Sequence, residues 1–190
     1  AQDFTPPSLH TEELTWTEIA KAMENGFDTV IIPAGGTEQN GPHVITGKHY
    51  HIVRHTSQEI AKQLGDTLVA PVISFVPENP HMKWAGTITV PEDVFSSLVK
   101  AVAESYILHD FKNILLVGDS GGNQKWMDDV ATDLNTRWSS DGVRVLFLSD
   151  YYSQNGQQDW LLEQGFTKQQ IGNHAGIRDT SEILFVNPAG

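Results

Sequence analysis

Short apolar runs alternate with longer amphipathic segments along the chain, and this alternation constrains the fold more than any other feature of the sequence. The clearest runs are TVIIPAG (29–35) and NILLVG (113–118), which are apolar after their first residue and end in glycine. Such runs are typical of buried strands in a parallel sheet. The segments between the runs carry apolar residues at helical spacing. The pattern therefore predicts an α/β fold with a mainly parallel sheet flanked by helices.

The other predicted elements follow from the same spacing. Gly26 ends the first helix, which Thr15 or Thr17 caps, and Pro91 followed by two acidic residues opens another. Further strands are predicted over 67–75, 86–90 and 143–150, and further helices over 51–65, 91–111, 124–138, 159–165 and the segment after residue 178. No linker interrupts the pattern. Residues 1–190 are therefore expected to form one domain, with 1–10 as an extended N-terminal segment.

Composition narrows the classes of function. The formal net charge of −12 argues against binding to nucleic-acid phosphates. No apolar run reaches the roughly 20 residues that span a bilayer, so no membrane partner is expected. The absence of cysteine excludes thiolate metal sites and cysteine nucleophiles. The first residue is Ala1, which favours a periplasmic or secreted mature protein, with a cytoplasmic location as the alternative.

Three polar clusters are placed where an α/β sheet binds its ligands. The first (38–51) follows strand 29–35, the second (119–124) follows strand 113–118, and the third (173–179) lies in the last loop. Ligands of such sheets bind beyond the carboxyl ends of the strands. The clusters are distant in sequence, but the fold predicts that they converge at one edge of the sheet.

The first cluster, in GTEQNGPHVITGKHYH (36–51), contains residue types that bind divalent metals. Glu38, His43 and His49 are suited to zinc, manganese or iron. Their spacing alone is not specific for a metal site. The alternative is a loop at the entry to a helix, in which Glu38 accepts hydrogen bonds from backbone amides.

The second cluster, GDSGGN (118–123), allows three interpretations. Its glycines permit a tight turn with exposed amides that suit an anion or an oxyanion. Ser120 is a candidate nucleophile if His174 and Asp179 complete a triad, and Asp119 is a candidate metal ligand. Alternatively, Asp119 or Ser120 caps the following helix, and Asp179 caps the last one.

Four motifs, taken together and in this order, resemble the creatininase family (creatinine amidohydrolase and its relatives). They are PAGGTEQNGPHVITGKH (33–49), HMKWAGTITV (81–90), VGDSGGN (117–123) and HAGIRDTS (174–181). The resemblance covers nearly the whole chain. It implies a compact α/β fold, often in oligomers such as hexamers, with two divalent metals, commonly zinc or manganese. Family members open cyclic amides or cleave other C–N bonds.

A residue-by-residue comparison with the family motifs shows that this chain has only some of the family's site residues. Glu38 stands at the family's glutamate ligand, and His174 keeps the family's histidine. Asn40 and Ser120 stand where the family has histidine ligands. His49 replaces the bridging aspartate, and Asp179 replaces a glutamate. The substitutions favour one zinc or manganese ion over two, held by Glu38, His49 and Asp119.

These observations predict a metal-dependent hydrolase that acts on a small cyclic amide, a lactone or a related C–N or C–O bond. His174 is the expected general base or acid, and the Ser120–Gly122 amides are the expected oxyanion donors. The residues predicted to contact the substrate are Asn40, His43, Trp84, Gly121 and Gly122.

The expected ligand is a small-molecule substrate. The resemblance to the family also implies a homo-oligomer such as a hexamer. Two alternatives to the metal-dependent hydrolase stay open. One is a metal-free serine hydrolase that uses Ser120, His174 and Asp179. The other is a catalytically lapsed family member that binds a ligand or a partner, since Asn40 and Ser120 replace metal ligands.

Overall fold

Four parallel strands form the sheet, and their parallel pairing confirms the predicted α/β class. A computed structural model describes residues 4–190. The strands are β1 (Thr29–Ala34), β2 (Thr67–Val69), β3 (Asn113–Gly118) and β4 (Arg144–Phe147), in the order β2-β1-β3-β4. The helices are α1 (Trp16–Glu24), α2 (Lys48–Leu64), α3 (Glu92–Leu108), α4 (Gln124–Trp138), α5 (Asp150–Ser153), α6 (Gln157–Glu163), α7 (Lys168–Ile171) and α8 (Ile177–Val186). Short 3-10 segments cover Thr11–Glu13, Asn79–His81 and Ser139–Asp141.

Both faces of the sheet are covered by helices. Successive side chains of a strand point to opposite faces, and β1 is buried along its whole length. Val30 and Ile32 pack into the larger core with α1, α3 and α4. Ile31 packs on the other face with Val53 of α2. This burial on both sides explains why β1 reads as a continuous apolar run.

Two of the predicted strands differ from the structure. β2 ends at Val69 rather than at residue 75, because Pro71 has no N–H group to continue the ladder. The predicted strand 86–90 is wrong. Within the described part of the chain, these residues make separate backbone hydrogen bonds, from Ile88 N to Thr37 O (2.9 Å) and from Val90 N to Val76 O (3.3 Å). Gly86 has φ of 87°, which is outside the extended region, and Pro91 at the other end has no N–H group to donate to a ladder.

The other segments keep their predicted type with shifted ends. α2 begins at Lys48, three residues before the predicted start. β4 covers only part of 143–150, and its last predicted residue opens α5. Residues 4–9 lie outside helices and strands, and 1–3 lie outside the described residues. His10 forms an isolated bridge with Val69. Among residues 4–190, none of the helices has the length and apolarity needed to cross a bilayer.

The strand order determines where the candidate site lies. From β1 the chain crosses to β2 on one side, and β3 then pairs with the other side of β1. The loops that follow β1 and β3 therefore diverge at their carboxyl ends. A crevice at such a switch point is the usual ligand site of open α/β sheets. Glu38 and Asp119 stand in these two loops.

Candidate metal and substrate cleft

A cleft of about 540 Å³ opens beyond the carboxyl ends of β1 and β3. Its lining includes residues from all three polar clusters of the sequence, represented by Glu38, Ser120 and His174. The structure thus brings the clusters together at one edge of the sheet. The catalytic and ligand roles of the individual residues stay predictions. The hydrogen bonds and ion pairs of each residue determine which of these roles it could perform.

His49 lies between two carboxylates. Its Nε2 is 2.9 Å from Glu38 Oε1, and its Nδ1 is 3.1 Å from Asp119 Oδ2. A neutral imidazole carries one N–H group, so both contacts are favourable when the ring is protonated. Burial alone lowers the pKa of His49, but the hydrogen bonds to Asp119 and Glu38 outweigh it and raise the pKa to about 9.

The predicted ligand set Glu38, His49 and Asp119 is therefore assembled as a hydrogen-bonded trio. When the ring is protonated, both nitrogens of His49 donate to carboxylates, and neither then has a lone pair for a metal. The same contacts act on Glu38. Burial raises the pKa of Glu38, but the hydrogen bond and charge of His49 and the charge of His174 bring it below its ordinary value.

Gly35 allows His49 to approach the end of β1. A Cβ atom at Gly35 would lie 2.7 Å from the backbone oxygen of His49. The first turn of α2 can therefore pack directly on the residue that follows the strand. This close approach directs the His49 side chain between the loops that follow β1 and β3.

A second cluster joins Glu38 to two other histidines. Ligand atoms of Glu38, His81 and His174 lie within 4.8 Å of one another. Glu38 Oε2 is 3.3 Å from His81 Nε2, and Glu38 Oε1 is 3.8 Å from His174 Nδ1. Glu38 Oε2 is buried and has no hydrogen-bond partner among the described residues. Two ligands of a tetrahedral ion at about 2 Å lie roughly 3.3 Å apart, so this spacing fits a bound divalent metal.

The backbone holds His174 in an unusual conformation. His174 has φ of 52° and Ala175 has φ of 67°, in the left-handed region that favours glycine. Two interactions stabilise this turn. His174 Nδ1 lies 3.1 Å from Gln39 O, and Ala175 N donates to Asp179 Oδ2 at 3.0 Å. Strained non-glycine residues of this kind concentrate at functional sites.

Ser120 is hydrogen-bonded to Glu78. The Ser120 hydroxyl donates a hydrogen bond to Glu78 Oε1, and both side chains line the cleft. Burial, together with the charge of Glu38, raises the pKa of Glu78 to about 7, although the bond from Ser120 opposes the shift. A carboxyl group with a pKa near 7 is suited to general acid–base chemistry at neutral pH.

Asp179 forms a buried ion pair. Lys48 Nζ lies 3.0 Å from Asp179 Oδ1, and both side chains are buried. Burial raises the pKa of Asp179, but the charge and hydrogen bond of Lys48 bring it below its ordinary value. The pair links the start of α2 to the first turn of α8, and so connects two walls of the cleft.

The contacts do not assemble the serine triad considered from the sequence. Ser120 donates to Glu78, His174 contacts Gln39 O, and Asp179 pairs with Lys48. Within residues 4–190, no hydrogen bond joins Ser120, His174 and Asp179 to one another. A nucleophile and its base must lie within hydrogen-bonding reach, which this arrangement does not provide.

The predicted substrate contacts fall into two groups. Gly121 and Gly122 line the cleft, whereas Asn40, His43 and Trp84 are absent from its described lining. Asn40 is fully buried and donates to Glu38 O at 3.2 Å. His43 is exposed, with Nε2 3.2 Å from Thr180 Oγ1. Trp84 packs beside the His81 ring, with the ring centroids 5.9 Å apart. In this structure these three side chains contact the segments around the cleft and do not line it.

Gly122 forms the contact between two walls of the cleft. A Cβ atom there would lie 1.8 Å from the backbone oxygen of Pro77, the residue before Glu78. No side-chain rotation relieves a clash with backbone. The absence of a side chain at Gly122 therefore lets the loop that carries Glu78 rest on the turn after β3.

The variant Gly122→Ala is expected to displace the Pro77–Glu78 loop and to lower the free energy of unfolding by about 2 kcal/mol, as overpacking does. Urea unfolding measures the loss. Gly121→Ala is the matched control, because the nearest atom to a Cβ there is the Tyr152 hydroxyl at 3.6 Å. Equal stability of the two variants would contradict the close packing at Gly122.

Sequence reasoning did not single out several residues of the cleft. They are Lys48, Glu78, His81, Tyr152 and Arg178. His81 belongs to the HMKWAGTITV motif, so its fixed place in that motif was an available signal. Glu78 stands in a proline-rich loop without a recognisable pattern, and Arg178 reads as an ordinary charge in a helical first turn. Their placement depends on how distant loops pack.

Comparison with known proteins connects this cleft to a family. The sequence model described as creatininase, creatinine amidohydrolase, matches residues 12–189. The 3-dehydro-scyllo-inosose hydrolase of Thermotoga maritima is 24% identical over 116 residues, which cover 61% of this chain and 37% of that protein. The mycofactocin precursor peptide peptidase of Mycobacterium tuberculosis is 25% identical over 104 residues, or 50% of this chain and 41% of that protein. These alignments span less than half of either relative.

Solved structures share the fold over a greater length. A creatinine amidohydrolase (creatininase) superimposes with a TM-score of 0.79 at 19% identity, over 96% of this chain and 73% of that chain. A manganese form of creatininase gives a TM-score of 0.77 at 19% identity, over 95% of this chain and 74% of that chain. Since the family match extends from residue 12 to residue 189 and the sheet has the same architecture, the chain belongs to the creatininase family.

Proposed function

We propose that the protein is a metal-dependent hydrolase of a small cyclic amide, a lactone or a related bond, with one zinc or manganese ion held by Glu38, His81 and His174. The observation that carries the proposal is the environment of Glu38 Oε2. This buried oxygen lies 3.3 Å from His81 Nε2, yet it takes part in no hydrogen bond among the described residues. Similarity to hydrolases and to zinc and manganese forms of creatininase supports it.

The proposed ligand set differs from the one predicted from the sequence. Glu38 is common to both sets. Both ring nitrogens of His49 contact carboxylates, whereas His81 faces Glu38 through Nε2 alone, at the spacing of two ligands of one ion. Two imidazoles and one carboxylate leave coordination positions open, as catalytic zinc sites do, and suit manganese as well. A bound divalent ion supplies Lewis acidity and lowers the pKa of a water molecule.

The chain's own residues supply the proton transfers. Glu78, whose pKa burial raises, accepts a proton when the water attacks and returns it to the leaving group. The hydrogen bond from Ser120 orients the Glu78 carboxyl group. Gly121 and Gly122 form the wall where backbone amides can stabilise the carbonyl oxygen. His174 acts here as a ligand rather than as the general base predicted from the sequence.

A second candidate function has one observation in its favour. A protonated His49 places a positive charge between Glu38 and Asp119, which partly balances these buried carboxylates without a metal. A family member that binds a ligand without catalysis would have such a site. Metal analysis distinguishes the two candidates.

Metal content of the untagged protein tests the proposal. After reconstitution and dialysis, mass spectrometry should find about one zinc or manganese per chain. Glu38→Gln, His81→Ala and His174→Ala should each weaken metal binding by roughly 100-fold. His109→Ala is the control, because this exposed histidine ends α3 far from the cleft.

Asp119→Asn separates the two ligand sets. It should retain the metal if Glu38, His81 and His174 bind it, and lose the metal if the ligands are Glu38, His49 and Asp119. No metal after reconstitution, or hydrolysis that persists in excess chelator, would overturn the metal-dependent mechanism. A ligand that binds without turnover would then favour the second candidate.

A further inference from the structure

Arg178 is a cation of the cleft that forms no ion pair with any carboxylate of residues 4–190. Lys48 pairs with Asp179, and His49 pairs with Glu38 and Asp119. In the part of the chain that the structure describes, no carboxylate oxygen lies within 4.0 Å of the Arg178 guanidinium. Arg178 is only partly buried, so its fork of N–H donors can reach a ligand.

Arg178 stands at the junction of the cleft with a second cavity. This cavity, of about 310 Å³, shares Arg178 and Tyr152 with the cleft. Ile52, Phe185 and Val186 form the apolar part of its lining. One molecule can therefore place a polar group at Arg178, an apolar group beside it and a third group in the cleft.

Arg178 is the positive charge among the side chains that line the second cavity, and the carboxylates there disfavour an anion at any other point of it. Asp119 and Glu182 also line the second cavity, so an unpaired cation there is the available point of attraction for a carboxylate. Arginine binds a carboxylate through two parallel hydrogen bonds, which give orientation as well as affinity. A neutral ligand would leave these donors without acceptors.

We infer that the substrate is an amide that bears a carboxylate and an apolar group, as an N-acyl amino acid does. This inference rests on the proposed function, which identifies the cleft as the substrate site. Arg178 binds the carboxylate, the second cavity holds the apolar side chain, and the amide lies toward Glu38, His81 and His174. Water adds to the amide carbonyl and the C–N bond breaks. A proton passes to the leaving nitrogen, and the products are a carboxylic acid and an amino acid.

Two probes that differ in one group test the carboxylate site. N-acetyl-L-phenylalanine and N-acetyl-L-phenylalaninamide are titrated calorimetrically into the full chain. The acid should bind at least roughly tenfold more tightly than the carboxamide, as expected for charge-assisted hydrogen bonds. R178Q should remove this preference. R144Q is the control, because Arg144 opens β4 at the opposite end of the sheet and donates to Asn113.

The test of the carboxylate site does not depend on R178Q alone. R178K keeps the charge but loses the fork, so it should retain only part of the preference. The wild-type preference for the acid needs no variant. Equal binding of the two probes, no binding of either, or a preference unchanged in R178Q overturns the inference.

Turnover by the metal-loaded protein is measured separately. A protein that binds the acid through Arg178 and cleaves no amide contradicts the proposed function and leaves the carboxylate site standing. A protein that cleaves the carboxamide as fast as the acid contradicts the carboxylate site and supports the hydrolase.

Discussion

Replacing Lys48 with methionine is expected to lower the free energy of unfolding by about 3–5 kcal/mol, because it leaves the buried Asp179 carboxylate without its partner. Both side chains of the pair are almost inaccessible to solvent, and Lys48 Nζ lies 3.0 Å from Asp179 Oδ1. The backbone N–H of Ala175 still donates to Asp179 in the variant. One hydrogen bond from a neutral donor compensates only part of the lost charge interaction.

The control is an ion pair at the surface. Lys125 and Asp129 pair within α4, and both side chains are more than half exposed. Lys125→Met should change stability by at most about 0.5 kcal/mol. Urea unfolding in excess chelator measures all variants without a contribution from metal.

The double variant Lys48→Met/Asp179→Leu identifies the cause of the loss. It removes both charges and should recover much of the stability, since the cost arises from an unpaired buried carboxylate. A double variant as unstable as Lys48→Met would show that packing, rather than charge, accounts for the effect.

The sequence predicted the sheet well because its signals are local. The run 29–35 is almost entirely apolar because both faces of β1 are buried, and Gly35 at its end permits the close approach of His49. The run 86–90 is also rich in β-branched residues, but it begins with Gly86 and is followed by Pro91. Composition alone does not show that this run lacks a neighbouring strand over its length.

Only part of the candidate site could be predicted from the sequence. Glu38 and Asp119 follow two strands that were predicted to be parallel, so their convergence at one edge of the sheet follows from the predicted fold class. The close approach of His81 to Glu38 depends on a loop with no regular strand to position it. The engagement of both His49 nitrogens depends on distances across the fold, which spacing along the chain does not encode.

The metal-free protein is expected to lose stability as the pH rises from about 6.5 to 9, because folding raises the pKa of His49. The pKa is about 9 in the folded state, against an ordinary value of 6.5. Below 6.5 both states hold the proton, and the stabilisation is fully present. Between 6.5 and 9 the unfolded chain releases the proton while the folded protein keeps it. A shift of this size corresponds to about 3 kcal/mol.

Glu78 also makes the free energy of unfolding fall as the pH rises, but over a lower range of pH than His49. Burial raises its pKa from 4.5 to about 7, so its neutral form is favoured in the folded protein. Its contribution is fully present below 4.5 and is lost as the pH rises through 7. The Glu78 contribution is largely lost by about pH 8, so the change in stability between pH 8 and 9 reports mainly on His49.

The variant His49→Gln separates His49 from other titrating groups. Glutamine has no charge to lose, so the variant should be less stable at pH 7 and nearly independent of pH up to 9. His109→Gln, a change at an exposed histidine, should keep the wild-type dependence. Urea unfolding at several pH values in chelator gives each free energy. A wild-type stability that stays constant from pH 7 to 9 would mean that His49 is neutral between Glu38 and Asp119. One ring nitrogen would then be free to bind a metal, and the ligand set predicted from the sequence would regain its support.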